Sequence, residues 1–488
     1  MKITFLNPPA YPEKKVPDRN FGCNYGVTFQ APVHILYSTA ILEKAGYEVE
    51  FIDCPVEHKN AEWLHNFLEN NPRDVFVIFT VYLSMKIDSF WSSVIRSKQK
   101  KAKIIFIGPE PSYRADEFLY PNVFVIRGEP EETILELVRE FEKEEPNYSK
   151  IKSLSWTTAE GIKKGKSFHN PSRSPIADLN KLPFPARHLL KYPERYFNPK
   201  LKNRPSTIMY TSRQCRGQCT YCIPAAYTFA REIEYRQHNK TKPPVAVRSP
   251  ENIYQEFELI KKEGYRSVAI MDDNFMGMPT EAGEKRILEI CRLIKPLDIE
   301  WGCLARADQC LNLNILLAMK RAGCKYIDLG VESFDEKVLQ YVRKGINATT
   351  QEKAIEMIKR AGIEPKINIL LGFPQQTEKN IKDTVKTLKK LDIDFVSFGI
   401  VTPHPMTEYY KTVKANKWMT TPDWVGTDPY KDGIMNLPNL SQEKLEELIR
   451  WCYKSYYLRP RYILKRISRL RSFSELVEDI KAAIRLFE

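Results

Sequence analysis

The chain has 488 residues, too many for one ordinary domain, so two or three are expected. Hydrophobic residues at 43% and charged residues at 28% place it among globular proteins, and no uncharged apolar run is long enough to span a bilayer. The formal charge of +14 raises a nucleic-acid reading, but the basic residues are spread widely and mixed with Glu along helical segments, which weighs against one.

Residues 1–145 alternate short apolar runs with helical patterns. Strands are predicted at Lys2–Leu6, Tyr47–Ile52, Val75–Val81, Lys103–Ile107 and Val123–Ile126, with helices between them and a last helix from Pro130 to Glu142. Val75–Val81 is so apolar that both its faces must be buried, which predicts a doubly wound parallel sheet. Ligands of such sheets bind at the carboxyl ends of the strands. Here those ends carry Asn7-Pro8-Pro9, Thr80 with Ser84, Gly108-Pro109-Glu110 and Arg127-Gly128-Glu129, each an ordinary turn when taken alone. The amino terminus enters its first strand directly, without the pattern of a signal peptide.

Residues 146–205 are rich in proline and read as an ordered connector, with a small hairpin around Ser153 to Trp156. From Ser206 to residue 425 the alternation resumes with longer units. Six strands are predicted, at Ser206–Tyr210, Ser267–Met271, Glu300–Ala305, Tyr326–Val331, Lys366–Leu371 and Phe395–Val401. Helices follow them, the first at Pro250–Glu263, giving an open, partial (β/α)6 barrel with its chemistry at the strands' carboxyl ends.

The first of these strands leads into Cys215-Arg216-Gly217-Gln218-Cys219-Thr220-Tyr221-Cys222. A C-x3-C-x2-C run can hold three irons of a [4Fe–4S] cubane and leave the fourth open to a small ligand. On spacing alone, part of a zinc site with a distant fourth ligand stays open, although no second cysteine pair follows. The other cysteines are scattered and make no disulfide framework; an oxygen-labile cluster predicts a reducing, cytoplasmic setting.

Residues 426–488 form a basic helical segment, with a helix predicted at Ser441–Tyr457. Arg450 to Arg471 holds eight basic residues and no acidic one, interleaved with aromatic and aliphatic side chains. That pattern suits an anionic membrane surface, a lipid substrate or an acidic partner. It equally suits a helix that packs its aromatic side on the barrel.

The cysteine run, followed in order by Asp272-Asp273-Asn274, Arg306-Ala307-Asp308, Gly330-Val331-Glu332-Ser333 and Gly372-Phe373-Pro374, resembles the radical S-adenosylmethionine (radical SAM) core. The "NPP" start, "LEKAGYEVEFID", "IGPEP" and "RGEPEETILEL" resemble the cobalamin-binding domain that precedes that core in one large subfamily. That subfamily takes in class B methyltransferases, anaerobic tetrapyrrole cyclases and hopanoid-biosynthesis enzymes. "YYLRPRYILKRI" resembles the tail of relatives acting on lipophilic substrates, hence an expectation of lipid biosynthesis.

The resemblance implies three cofactors: a [4Fe–4S] cluster on Cys215, Cys219 and Cys222, S-adenosylmethionine, and cobalamin. SAM would meet Tyr221, Asp272, Asp273, Asn274, Arg306, Glu332 and Ser333, with Gly372 and Pro374 at the adenine. Cobalamin would lie against Asn7, Pro8, Thr80 and Ser84, and against Gly108, Pro109, Gly128 and Glu129. No D-x-H-x-x-G run occurs, so its cobalt would lack a histidine from that motif. The implied reaction cleaves SAM, abstracts hydrogen from an unactivated carbon and transfers a methyl group through cobalamin. Radical cyclisation, oxidation or carbon–carbon bond formation on a lipid or tetrapyrrole is the alternative, and a tRNA or protein methylthiotransferase is the more distant one. The expected partners are a small, lipophilic substrate and a flavodoxin or ferredoxin reductant. No nucleic acid is expected, and peripheral membrane contact would run through the basic tail.

Overall fold

A computed structural model describes residues 1–11, 16–20, 23–24, 29–277, 280–421 and 432–468. The chain forms two compact units, one from Met1–Arg216, Ile223–Phe275 and Lys285–Cys303, the other from Gly217–Cys222, Met276–Glu284 and Leu304–Glu488.

In the first unit a seven-stranded sheet is built from β1 (Lys2–Asn7), β2 (Glu48–Asp53), β3 (Val75–Phe79), β4 (Lys103–Ile107), β5 (Val123–Ile126), β6 (Leu154–Trp156) and β7 (Phe168–His169), in the order β2-β1-β3-β4-β5-β6-β7. The first five pair in parallel. Every residue of β3 and β5 is buried, as their unbroken apolar sequences require when both faces are covered. The connector does more than wrap: its hairpin pairs antiparallel with β5 and extends the sheet by two strands. Arg127 holds that join, donating to the carbonyls of Leu154 at 3.2 Å and Asn170 at 2.6 Å. Helix α1 (Val33–Lys44) is buried almost throughout, so His34, Ser38 and Thr39 are carried inside along with its apolar residues.

The same unit holds three further parallel strands, β8 (Ser206–Met209), β9 (Ser267–Ile270) and the start of β10 (Glu300–Ala305). The sequence reading has no helix between the cysteine run and residue 250, yet Ala226–Asn239 forms α2, a helix with buried Arg231, Glu232 and Glu234. Its charged face is internal, so it lacks the apolar stripe that marks a surface helix.

The second unit contains β11 (Cys324–Glu332), β12 (Glu364–Leu371) and β13 (Phe395–Ile400), again parallel. The fold is thus α/β with parallel sheets, as the alternating pattern predicts. Helix α3 (Glu378–Leu391) begins at a capping box in which Thr377 and Asn380 satisfy each other's backbone N–H groups. Helix α4 (Gln442–Tyr457) turns its aromatic side onto the last strand: the Tyr453, Tyr456 and Tyr457 hydroxyls donate to the carbonyls of Phe398, Ile393 and Val396. A short helix, α5 (Pro460–Ile467), follows; the basic stretch beyond Ser468, including Arg469 and Arg471, lies outside the described residues. Among the described residues no helix is long and apolar enough to cross a membrane.

Candidate active site

In the first unit the foot of the cysteine loop is heavily braced. Asp272, at the end of β9, accepts from the Thr211 N–H at 2.6 Å and from the hydroxyls of Thr211 and Ser212. Asp273 accepts from the N–H of Gln214 at 3.2 Å and of Ala225 at 2.9 Å, one on each side of the loop. Gln214 sits at φ 81°, a left-handed conformation that costs a non-glycine residue about 1–3 kcal/mol and persists only when its surroundings enforce it. Its side-chain amide donates to Glu232 of α2. Between them Arg213 is buried and donates to Glu129, Glu131 and Tyr227. Desolvation is the main cause that raises the Asp272 carboxyl and pushes Asp273 up to about 7. What a bound amino group would find at Asp272 and Asp273 is therefore their remaining lone pairs; Asn274 is half-buried at the same strand end.

The thiols of Cys215 and Cys219 are half-buried and that of Cys222 is exposed, whereas Cys54, Cys291, Cys303, Cys310, Cys324 and Cys452 are buried. Burial pushes the Cys54 and Cys310 thiols up, and Cys452 up to about 12, which disfavours the thiolate a metal needs. Among these nine cysteines, the accessible thiols are thus the three of the motif, as many as a three-thiolate cluster needs. Among the described residues no group of three His, Cys, Asp or Glu side chains is placed to hold a metal ion.

In the second unit the segment Gly217–Cys222 is pinned by the Thr220 N–H to the carbonyl of Val342 at 3.1 Å and by the Tyr409 N–H to the carbonyl of Thr220 at 2.9 Å. The Tyr221 phenol bonds to Glu332, and its pKa is raised well above the usual value by burial first and Glu332 next. Glu332 stands at φ 66° beside a bulge in β11 and pairs with buried Lys344 at 3.1 Å. Burial opposes the Lys344 charge, but Glu332 and then the charges of Cys219 and Cys222 raise its pKa overall. A Cβ at Gly330 would lie 2.5 Å from Glu332 Oε1 and 3.1 Å from Lys344 Nζ, so glycine leaves room for the pair.

Sequence reasoning missed Lys344, because Arg343-Lys344-Gly345 reads as a solvated turn. Arg306 donates twice to Asp308 at 3.1 Å and once to the Lys344 carbonyl at 2.9 Å. Ser333 is buried and its hydroxyl accepts from the Asp335 N–H. Gly372, at φ 103°, and Phe373 both donate to Gln376 Oε1, and the Pro374 carbonyl accepts from Asn439. The Phe373 ring lies 5.2 Å from Tyr221 and 5.8 Å from Tyr409. The unit therefore brings Tyr221, Glu332, Lys344 and Phe373 together.

The carboxyl ends of the N-terminal sheet are built differently. The Ser84 hydroxyl is engaged, donating to Asp88 at 2.7 Å and accepting from Arg19 at 3.1 Å. Pro8 and Pro109 are buried, the latter opening a short helix. A Cβ at Gly108 would lie 2.6 Å from the Thr80 carbonyl oxygen, so a side chain there strains the chain itself. Gly128 packs on Glu234, and Glu129 is paired with Arg213 and receives the Ile176 N–H.

Yet several fully buried polar atoms have no hydrogen-bond partner: Asn7 Oδ1 and Thr80 Oγ1 at these strand ends, and Ser38 Oγ and both ring nitrogens of His34 on helix α1. His34 stacks edge-on against Phe79 at 4.3 Å, and burial followed by the Arg19 charge lowers its pKa to about 3. An unsatisfied buried polar group costs about 1–3 kcal/mol. Such a set fits a cofactor rich in amide and hydroxyl groups, and His34 and Ser38 were not legible as part of it.

The profile of the radical SAM superfamily matches residues 209–388. An uncharacterized methyltransferase of Pyrococcus horikoshii is 30% identical over 492 aligned residues, covering 99% of this chain and 97% of that protein. This chain belongs to the radical SAM superfamily. The radical SAM chain is also 25% identical to an anaerobic magnesium-protoporphyrin IX monomethyl ester cyclase of Rubrivivax gelatinosus, over 60% of its own length but only 51% of the cyclase. Its fold is similar to that of the radical SAM methyltransferase TsrM from Kitasatospora setae, solved with cobalamin and a [4Fe–4S] cluster: the TM-score is 0.62 at 15% identity, over 86% of this chain and 76% of TsrM. Membership implies a [4Fe–4S] cluster and SAM as cofactors.

Proposed function

We propose that the protein is a cobalamin-dependent radical SAM methyltransferase acting on an unactivated carbon of a lipophilic substrate, reduced by a flavodoxin or ferredoxin. The observation that carries this reading is the conjunction of three accessible motif thiols with the buried Lys344–Glu332–Tyr221 group. The full-length likeness to a methyltransferase and the unsatisfied polar atoms of the N-terminal sheet support it. When bound, the cluster supplies the electron that opens SAM, and cobalamin supplies a methyl carrier.

The chain's own residues do the rest. Cys215, Cys219 and Cys222 hold the cluster, on a loop whose two sides Asp273 ties together. Lys344 offers a buried cation to the methionyl carboxylate, the pairing that charge-assisted bonds favour. Glu332 fixes Lys344 and orients the Tyr221 phenol, while Phe373 and Tyr409 present an apolar wall that keeps water from a reactive species. Asn7, Thr80, Ser38 and His34 would meet amide or hydroxyl groups of the corrinoid.

Anaerobic reconstitution tests the reading. Wild-type protein is expected to hold about four irons and four sulfides per chain, retain a corrinoid, and pass a deuterated methyl group from SAM to product. The Cys215→Ala/Cys219→Ala/Cys222→Ala variant is expected to lose the iron and all 5′-deoxyadenosine formation. Stoichiometric zinc without sulfide would end the reading. A second reading, radical cyclisation without methylation, draws on the likeness to the Rubrivivax cyclase. It moves ahead if the product carries no methyl group from SAM.

A further inference from the structure

Helix α5 is fixed to its unit along one side. The Tyr462 hydroxyl donates to the carbonyl of Asp394 at 2.9 Å, and Lys465 pairs with Asp392 at 3.1 Å and Asp394 at 2.7 Å. The Tyr462 ring packs 5.0 Å from Tyr457, and the Arg459 guanidinium lies 4.3 Å from the Tyr456 ring. Asp392 and Asp394 immediately precede β13, so α5 sits at the amino end of that strand, away from the carboxyl ends that carry Glu332 and Gly372.

Among the described residues, the opposite side of α5 is exposed. No residue of the helix is buried, and Leu464, Ile467 and Ile463 are 68%, 55% and 41% exposed. At about 100° per residue these three aliphatics fall in one stripe, on the far side from Tyr462 and Lys465. Arg461 and Arg466 fall on the two flanks of that stripe; the Arg461 side chain is 85% exposed and Arg466 is exposed. No acidic residue occurs between Arg450 and Arg471. Aliphatic side chains pointing outward with long cationic ones on both flanks match an interface where apolar chains lie beneath anionic headgroups.

We propose that α5 docks the protein peripherally on an anionic phospholipid bilayer, with Ile463, Leu464 and Ile467 entering the headgroup region and Arg461 and Arg466 pairing with lipid phosphates. The charge pattern selects this occupant over an apolar protein groove: Arg461 and Arg466 flank the stripe, and the carboxylate beside Arg461, that of Asp392 at 3.8 Å, is already paired with Lys465 at 3.1 Å. Because α5 lies at the amino end of β13, docking holds the enzyme at the surface without covering the strand ends where its chemistry is placed. The proposal is independent of the cofactor assignment.

Flotation of the full-length protein with vesicles tests it, using phosphatidylcholine alone and phosphatidylcholine mixed equally with phosphatidylglycerol, at low and high salt. The expected result is binding to the phosphatidylglycerol vesicles at low salt, released by high salt. Leu464→Glu/Ile467→Glu and Arg461→Glu/Arg466→Glu should each weaken it by roughly an order of magnitude, while circular dichroism and bound iron stay at wild-type levels. Failure to float with anionic vesicles overturns the proposal, and so does undiminished binding by both variants. Self-association without lipid that the same variants abolish would assign the stripe to a second copy of the chain, also overturning it.

Discussion

Two polar regions of the first unit are constructed in opposite ways. At the foot of the cysteine loop, Asp272, Asp273, Gln214 and Arg213 carry a dense set of hydrogen bonds and ion pairs made within the protein. Asn7 and Thr80 at the ends of β1 and β3, and His34 and Ser38 on α1, bury polar atoms with no partner. Burial without a partner is expensive and burial with one is nearly neutral. The braced region therefore reads as scaffold whose internal bonds offset most of its own desolvation, with only Gln214 Oε1 and Glu131 Oε2 left unpaired among the residues just named and their ion-pair partners, and the unbraced one as a set of buried polar groups that a polar ligand would satisfy.

The largest effect is expected from breaking the braced region. Arg213→Met leaves Glu131 facing no cation and Glu129 with only Arg231, 3.4 Å away. Removing one partner of a buried ion pair costs about 3–5 kcal/mol. Urea unfolding of the anaerobic apo-protein should show that loss, and adding Glu131→Gln should recover part of it. A variant as stable as wild type would mean that the network is not buried in solution.

A smaller effect, confined to the loop, is expected at Asp273. Asp273→Ala strands the N–H groups of Gln214 and Ala225, at about 1–3 kcal/mol each if neither finds water. Reconstituted iron per chain should fall while the far-ultraviolet circular dichroism persists. If iron stays at the wild-type level and only SAM binding weakens, Asp273 is a ligand to the methionyl amino group and not a brace.

What the sequence displays and what it hides divide along similar lines. Parallel strands were legible because Val75–Phe79 and Val123–Ile126 are apolar on both faces, a pattern that a strand with one face in water does not show. Helix α2 was not, since Arg231, Glu232 and Glu234 face inward against other charges. The hairpin at Leu154–Trp156 was legible as a hairpin but not as an extension of the sheet, because its partner β5 is distant in sequence. At the candidate site the cysteines announce themselves by spacing. Lys344 does not, because its significance lies in burial beside Glu332, and a lysine in a turn is ordinarily exposed. Residue type shows that Asp272 can accept hydrogen bonds; it does not show that Thr211 and Ser212 already supply them.

The smallest effect, and the one that divides the two regions most sharply, comes from a single kind of substitution made in each. Threonine to valine keeps the side chain's shape and deletes its hydroxyl. At Thr211 the hydroxyl donates to Asp272, so Thr211→Val leaves a buried carboxylate short of a donor and should cost about 1–3 kcal/mol. At Thr80 the hydroxyl has no partner, so Thr80→Val should leave the apo-protein unchanged or stabilise it by up to about 1 kcal/mol. The order reverses once hydroxocobalamin is offered. Thr80→Val, and Ser38→Ala on α1, should retain less cobalt per chain than wild type, while Thr211→Val retains it in proportion to its folded fraction. Urea midpoints of the apo-proteins, with cobalt content after loading and desalting, read both halves of the test. If Thr80→Val costs as much as Thr211→Val, the Thr80 hydroxyl is satisfied within the protein, and the corrinoid assignment loses its structural support.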